Sequence, residues 1–322
     1  MLLALVLASG LWAAAEIDLG AAAASSGRPA ECLPAQSGRD ARRETIWTQA
    51  RAPELVRYCQ LLARAQARLA DDPTQARRAA IEADRLLPGR AAPQVLLGRV
   101  AARAGETDEA LLRFDRALGL DPHGVEQPLA MYELGVTLRH SGQIERSLQV
   151  LRLLVPRAAL LPGALPRTRA LIEAAGVAMD AQARGSGPGE RPALGEALAY
   201  LREAAEDPHH AYRLDVGLGL VLVLDRAGHG AQADALLAEL GDARRWLAAQ
   251  DRPLAASADD LLALQALALE TANPAAAAAR WRQYLAALRP AHPWAPAARA
   301  RVQRLEQPPR APPGRGAGGR GR

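Results

Sequence analysis

The sequence predicts an all-α fold, and three observations predict it. Hydrophobic residues make up 49% of the 322-residue chain, yet aromatics make up only 3%, with one Phe, Phe114. All 40 basic residues are Arg, and there is no Lys. Alanine is about a quarter of the chain. Sheets favour β-branched and aromatic residues, whereas Ala, Leu and Arg are the strongest helix formers. The missing Lys also excludes chemistry. A Walker-A phosphate loop needs its Lys, Schiff-base enzymes need a Lys amine, and a protein kinase needs its strand Lys.

The chain opens on an uncharged apolar run, Leu2 to Ala15, closed by small residues. This is the pattern of a secretory signal peptide, without a basic residue before the run. It is shorter than the roughly 20 apolar residues of a membrane-spanning helix. Residues 1–24 are therefore read as a signal peptide, with cleavage among Ala13–Ala15 or Ala21–Ala24. Residues 25–48 read as an irregular leading segment. Cys32 lacks the small apolar residues a lipoprotein signal requires before its Cys. The two cysteines, Cys32 and Cys59, lie in no metal-ligand spacing. They are two free thiols or one disulfide, and the compartment decides which. Export would allow a disulfide between the leading segment and the first helix.

From about residue 49 the chain is read as stacked helix pairs. Asp71-Asp72-Pro73 is a helix start, with Asp as the cap. Ala76, Ala83 and Pro88 recur as Ala110, Ala117 and Pro122, each 34 residues later. The second copy carries Leu97-Gly98, Ala101, Gly105, Ala110, Phe114, Ala117 and Pro122 in order. Small residues stand where two helices must approach closely. Leu97 and Phe114 fill the space between them, Gly105 supplies φ > 0 at a helix end, and Pro122 stops a helix. On these residues the chain resembles the tetratricopeptide-repeat (TPR) family, whose period is 34 residues. The resemblance implies a right-handed superhelical solenoid of antiparallel helix pairs, about five to six repeats over 49–306.

Later repeats are weaker. Leu134-Gly135, Gly142, Ser147 and Leu151 mark a third, shifted by three residues. A fourth has helices near Leu165–Gln182 and Pro192–Glu206. A fifth runs from Tyr212, turns at Gly228 to Gly230 and resumes through Ala233 and Leu237. Its apolar stretch from Leu214 is read as a helix buried on all sides, because a lone strand is unstable. A sixth spans about Ala258 to Leu288, turning at Asn273-Pro274, and a helix over Pro293–Leu305 caps the array. Residues 307–322 read as a disordered Arg/Gly/Pro tail. Its arginines supply four of the five net positive charges, so the high pI is largely the tail's.

Nothing in the sequence assembles a catalytic site. The six His form no HExxH or similar zinc pattern, and there is no G-x-S-x-G elbow. The chain is read as no enzyme, with no cofactor and no metal. In TPR arrays the first helices line a concave groove that holds peptides. The resemblance places Arg68, Arg99, Arg103, Tyr132, Arg139 and His140 there. Arg bonds carboxylates bidentately, so the groove is expected to take a protein or peptide with an acidic segment. The carboxylate clamp of chaperone-binding relatives needs Lys and Asn. This chain has no Lys and one Asn, Asn273, so that subclass is not supported. The reading is a periplasmic or secreted interaction scaffold, with no transmembrane span in the mature chain and nucleic acid not expected as a partner. The alternatives are a cytoplasmic nucleic-acid-associated protein using its Arg tail, and an enzyme without a recognised motif.

Overall fold

A computed structural model of the protein describes residues 30–32, 52–185, 193–207, 210–241, 243–249, 252–289 and 292–307. The expected signal peptide, most of the leading segment and the tail beyond Gln307 lie outside the described residues. Among the described residues there are fourteen α-helices and no strand.

The chain forms two compact units, residues 1–177 and 178–322. The first unit contains three helix pairs. These are α1 (Pro53–Arg68) with α2 (Pro73–Leu86), α3 (Ala91–Arg103) with α4 (Thr107–Leu120), and α5 (Pro128–His140) with α6 (Ile144–Leu154). A 3-10 segment, Val155–Leu160, follows α6, and α7 (Ala164–Arg184) crosses the boundary between the units. The second unit continues with α8 (Ala193–Ala205), α9 (Arg213–Arg226), α10 (Gly230–Glu239), the short α11 (Ala243–Ala248), α12 (Ala258–Leu269), α13 (Pro274–Ala287) and α14 (Ala295–Glu306). The Leu214 stretch is α9, a helix with Val216, Leu218, Val221, Leu222, Val223 and Leu224 all buried.

Two kinds of turn fold the second helix back on the first. After α3, α5 and α9 the chain passes through Gly105, Gly142 and Gly228, with φ of 74, 78 and 84°. The next amide then bonds back across the helix end. Glu106 donates to Ala101, Gln143 to Leu138 and His229 to Leu224, at 2.9, 2.9 and 2.8 Å. This is one glycine-terminated cap used three times. After α1 and α12 an Asx-Pro pair replaces it. The side chains of Asp72 and Asn273 accept from the amides of Gln75 and Ala276, at 2.9 and 3.1 Å. Pro73 and Pro274 then start α2 and α13, where a missing N–H costs nothing.

The pairs close on small residues. A Cβ on Gly98 would stand 3.1 Å from the Phe114 ring, and one on Gly135 would stand 2.6 Å from Leu151 Cδ2. Ala101, Ala110 and Ala117 are fully buried around Phe114, with Val95, Leu134 and Leu138. The three-residue shift of the third pair lies in the longer connection over 121–127, against 87–90 before α3.

A 3-10 turn at Ala30–Cys32 packs against α1. Cys32 and Cys59 are joined, with Cα atoms 5.6 Å apart. The buried Tyr58 hydroxyl donates to Glu31 Oε1 at 2.9 Å, and burial, then the Glu31 charge, pushes its pKa up. Cys32 and Cys59 pack against the cluster of Tyr58, Leu62 and Ala79. Replacing both cysteines with Ser is expected to lower stability by about 3 kcal/mol, the loop-closure contribution of such a bridge. Chemical denaturation of the variant checks this, and an unchanged midpoint would show that the bridge constrains nothing.

Candidate partner-binding face

The first helices of the first unit place the six sequence-predicted residues very differently. Arg68 is exposed near the end of α1, and His140 is exposed at the end of α5. Tyr132 is half-buried on α5. Leu129, Tyr132 and Val136, all half-buried, stand at i, i+3 and i+7, one stripe of that helix.

Arg99 is not a surface residue: it is fully buried. Its Nε donates to Glu133 Oε2 at 2.5 Å, and its Nη1 donates to Gln66 Oε1 at 2.9 Å. Arg103, one turn on, donates to the other oxygen of Glu133 at 2.7 Å. A single carboxylate of α5 thus binds two arginines of α3. Arg139 repeats the device one helix later, donating to Glu173 Oε2 of α7 at 2.8 Å. These three arginines, expected to face an acidic ligand, each hold a carboxylate of the next first helix. A buried charge must be paired or its desolvation is uncompensated, so Arg99 and Arg139 belong to the fold, while Arg103 is exposed and shares the Glu133 carboxylate from the surface.

The acids were the residues that sequence reasoning missed. Arg99 and Glu133 are 34 residues apart, as are Arg139 and Glu173, and so are Arg226 and Asp260 in the second unit. The signal was present as an Arg followed by an acid one repeat length later.

In the second unit the same logic is concentrated. Arg226 ends α9 and binds Asp260, the third residue of α12. Its guanidinium lies 3.6 Å from the centroid of the Trp294 ring. Asp260 also closes a capping box with Ser257. Burial raises the Asp260 pKa, but Arg226 and the Ser257 amide outweigh it, so the carboxyl stays below its usual range. Arg301 of α14 binds Asp225 and, at 2.8 Å, Glu270. Glu270 also accepts from Trp281 Nε1 at 2.8 Å and from Arg304 at 2.7 Å. Burial pushes Asp225 up despite Arg301, and pushes Tyr284 up to about 12 despite Arg226. These shifts come from a closed ion network that docks α14 onto α9 and α12.

His292 edges onto Trp294, with ring centroids 5.0 Å apart, and accepts from the Trp294 amide at 3.4 Å. Burial first, then Arg226, holds its pKa below 6.5. The folded chain therefore binds this proton less readily than the unfolded chain. Stability present above pH 6.5 is lost as pH falls from there towards the folded pKa. The second unit is expected to melt lower at about pH 5.5 than at about pH 7.5, and His292→Gln is expected to remove that difference. A difference that persists in the variant would assign it to another group.

The hydroxyls of Thr137, Ser141, Ser147 and Thr168 donate to main-chain carbonyls rather than to a base. Among the described residues, no group of three or more His, Cys, Asp or Glu is placed to hold a metal. His209, which follows Pro208 at a repeat junction, lies outside the described residues.

No family model matches the chain, and no curated protein does. Among solved structures it is similar to MamA, residues 41 to the end, from Desulfovibrio magneticus RS-1. There the identity is 22%, with 61% of this chain and 98% of that chain covered and a TM-score of 0.43. It is also similar to PilF of Pseudomonas aeruginosa, at 16% identity, with 79% and 98% covered and a TM-score of 0.45. The chain's own helix pairs, glycine caps and 34-residue spacing follow the tetratricopeptide-repeat pattern that the sequence resembles.

Proposed function

We propose that the chain is a non-catalytic protein-interaction scaffold of the bacterial cell envelope. The observation that carries this reading is the division of labour on the first helices. Arg99, Arg103 and Arg139 are taken up by Glu133 and Glu173. That fixes α3, α5 and α7 to one another through buried charges within the first unit. Leu129, Tyr132 and Val136 stand on a rigid helix, flanked at its end by the exposed His140. A preorganised apolar and aromatic strip suits a peptide or helix with apolar anchors, since Tyr supplies large contact area at low entropic loss. The partner's anchoring residues are thus apolar rather than acidic.

An envelope location is supported by the apolar run at Leu2–Ala15 and by the Cys32–Cys59 bridge, because such bridges persist in oxidising compartments. Among the described residues no helix is long and apolar enough to cross a membrane.

The test places a photo-crosslinking amino acid at Tyr132 and, as a control, at the exposed Arg78 of α2. In living cells position 132 is expected to give a discrete protein adduct that position 78 does not. Equal labelling at both positions, or none, would remove the strip from consideration. Osmotic-shock fractionation with non-reducing gels tests the location. A cytoplasmic chain with reduced cysteines would overturn it.

A further inference from the structure

Between Glu145 and Glu173 the chain carries five arginines, Arg146, Arg152, Arg157, Arg167 and Arg169, and no acid. Among the described residues, acids of other elements reach Arg146 and Arg157. Asp115 binds Arg146 at 2.6 Å, and Glu126 lies 3.6 Å from Arg157. Arg167 and Arg169 form no ion pair among the described residues. Both lie near the start of α7, a helix whose first turn holds no acid. The positive end of the macrodipole disfavours cations there, so their placement does nothing for the helix.

The same stretch is apolar on two sides. Leu151, Leu154, Ala158 and Leu161 face inward and are buried. Leu153, Pro156 and Leu160, at i, i+3 and i+7, face outward. Leu153 is 62% exposed and Leu160 is 42% exposed, half of the exposed large hydrophobics among the described residues.

We infer that residues 153–169 form a peripheral docking surface for an anionic phospholipid bilayer. Leu153 and Leu160 protrude rather than line a recess, which suits insertion into a fluid headgroup layer better than a shaped protein pocket. Arg can lay its stem along apolar surface and keep its head at the phosphates. Arg167 and Arg169 add positive charge with no acid paired to it among the described residues, matching an anionic surface.

The test is co-sedimentation of the full chain with vesicles of phosphatidylcholine alone or mixed with phosphatidylglycerol, at physiological salt. The wild-type chain is expected to sediment with the mixed vesicles and not with phosphatidylcholine alone. Arg167→Gln with Arg169→Gln is expected to weaken this about thirtyfold, at the usual contribution per arginine near an anionic surface. Leu153→Ser with Leu160→Ser is expected to weaken it by about tenfold or more. Leu153, Leu160 and Arg169 are exposed and Arg167 is half-buried, and circular dichroism checks that both variants stay helical. Wild-type chain that ignores anionic vesicles would overturn the inference. So would variants that bind as tightly as wild type, which would assign binding to the tail. Loss of a protein crosslink in cells with vesicle binding unchanged would replace the bilayer with a protein partner.

Discussion

Asp260→Ala is expected to destabilise the second unit by about 3–5 kcal/mol, the cost of leaving one member of a buried ion pair uncompensated. Arg226 is wholly buried and depends on Asp260 for its charge partner. Its other contacts are Tyr284, the Trp294 face and Met179 Sδ at 3.3 Å, none of them an anion at neutral pH. The substitution also removes half of the capping box of α12, adding about 1 kcal/mol. Urea unfolding followed by the fluorescence of Trp281 and Trp294 measures the loss. A loss below about 1 kcal/mol would mean that water reaches Arg226 and that the network is a surface one.

Glu133→Ala is the second large effect, expected at about 3 kcal/mol or more in the first unit. One carboxylate there serves two arginines, so its loss strands Arg99 with only the Gln66 amide oxygen. Arg103, with a side chain 35% exposed, turns to water. Arg103→Ala is expected to be mild for the same reason, well under the cost at Arg99. Unfolding of the two variants followed by circular dichroism ranks them. Equal losses would show that burial of Arg99 is not what matters.

The helix pairs were legible because their signals are local. Gly105, Gly142 and Gly228 announce helix ends through a conformation that other residues resist, and Asp72-Pro73 and Asn273-Pro274 announce helix starts. The spacing of Ala110, Phe114 and Ala117 reports close helix contact within one pair. The short α11 between the fifth and sixth pairs carries no such marker, and it follows from packing on α12, where Gln265 donates to the Leu247 carbonyl at 2.9 Å. The arginines misled for a different reason. Read alone, a first-helix Arg looks the same whether it points at a ligand or at a neighbour, and its acid partner 34 residues on gains meaning once the repeats are stacked. The register of one first helix against the next brings Glu133 under Arg99, and register is a tertiary property.

The first-helix arginines Arg99 and Arg139 act inside the protein, each on a carboxylate of the next first helix. A double-mutant cycle on Arg99 and Glu133 tests it most directly, using Arg99→Met, Glu133→Leu and the double variant. Each single variant is expected to lose about 3 kcal/mol, while the double variant, with both charges replaced by apolar groups, recovers most of it, a coupling of about 2 kcal/mol or more. The double variant should keep the Tyr132 crosslink. Additive losses would show that Arg99 and Glu133 do not stabilise the fold as a pair, and a crosslink that vanishes with Arg99 while stability is unchanged would place Arg99 on a ligand.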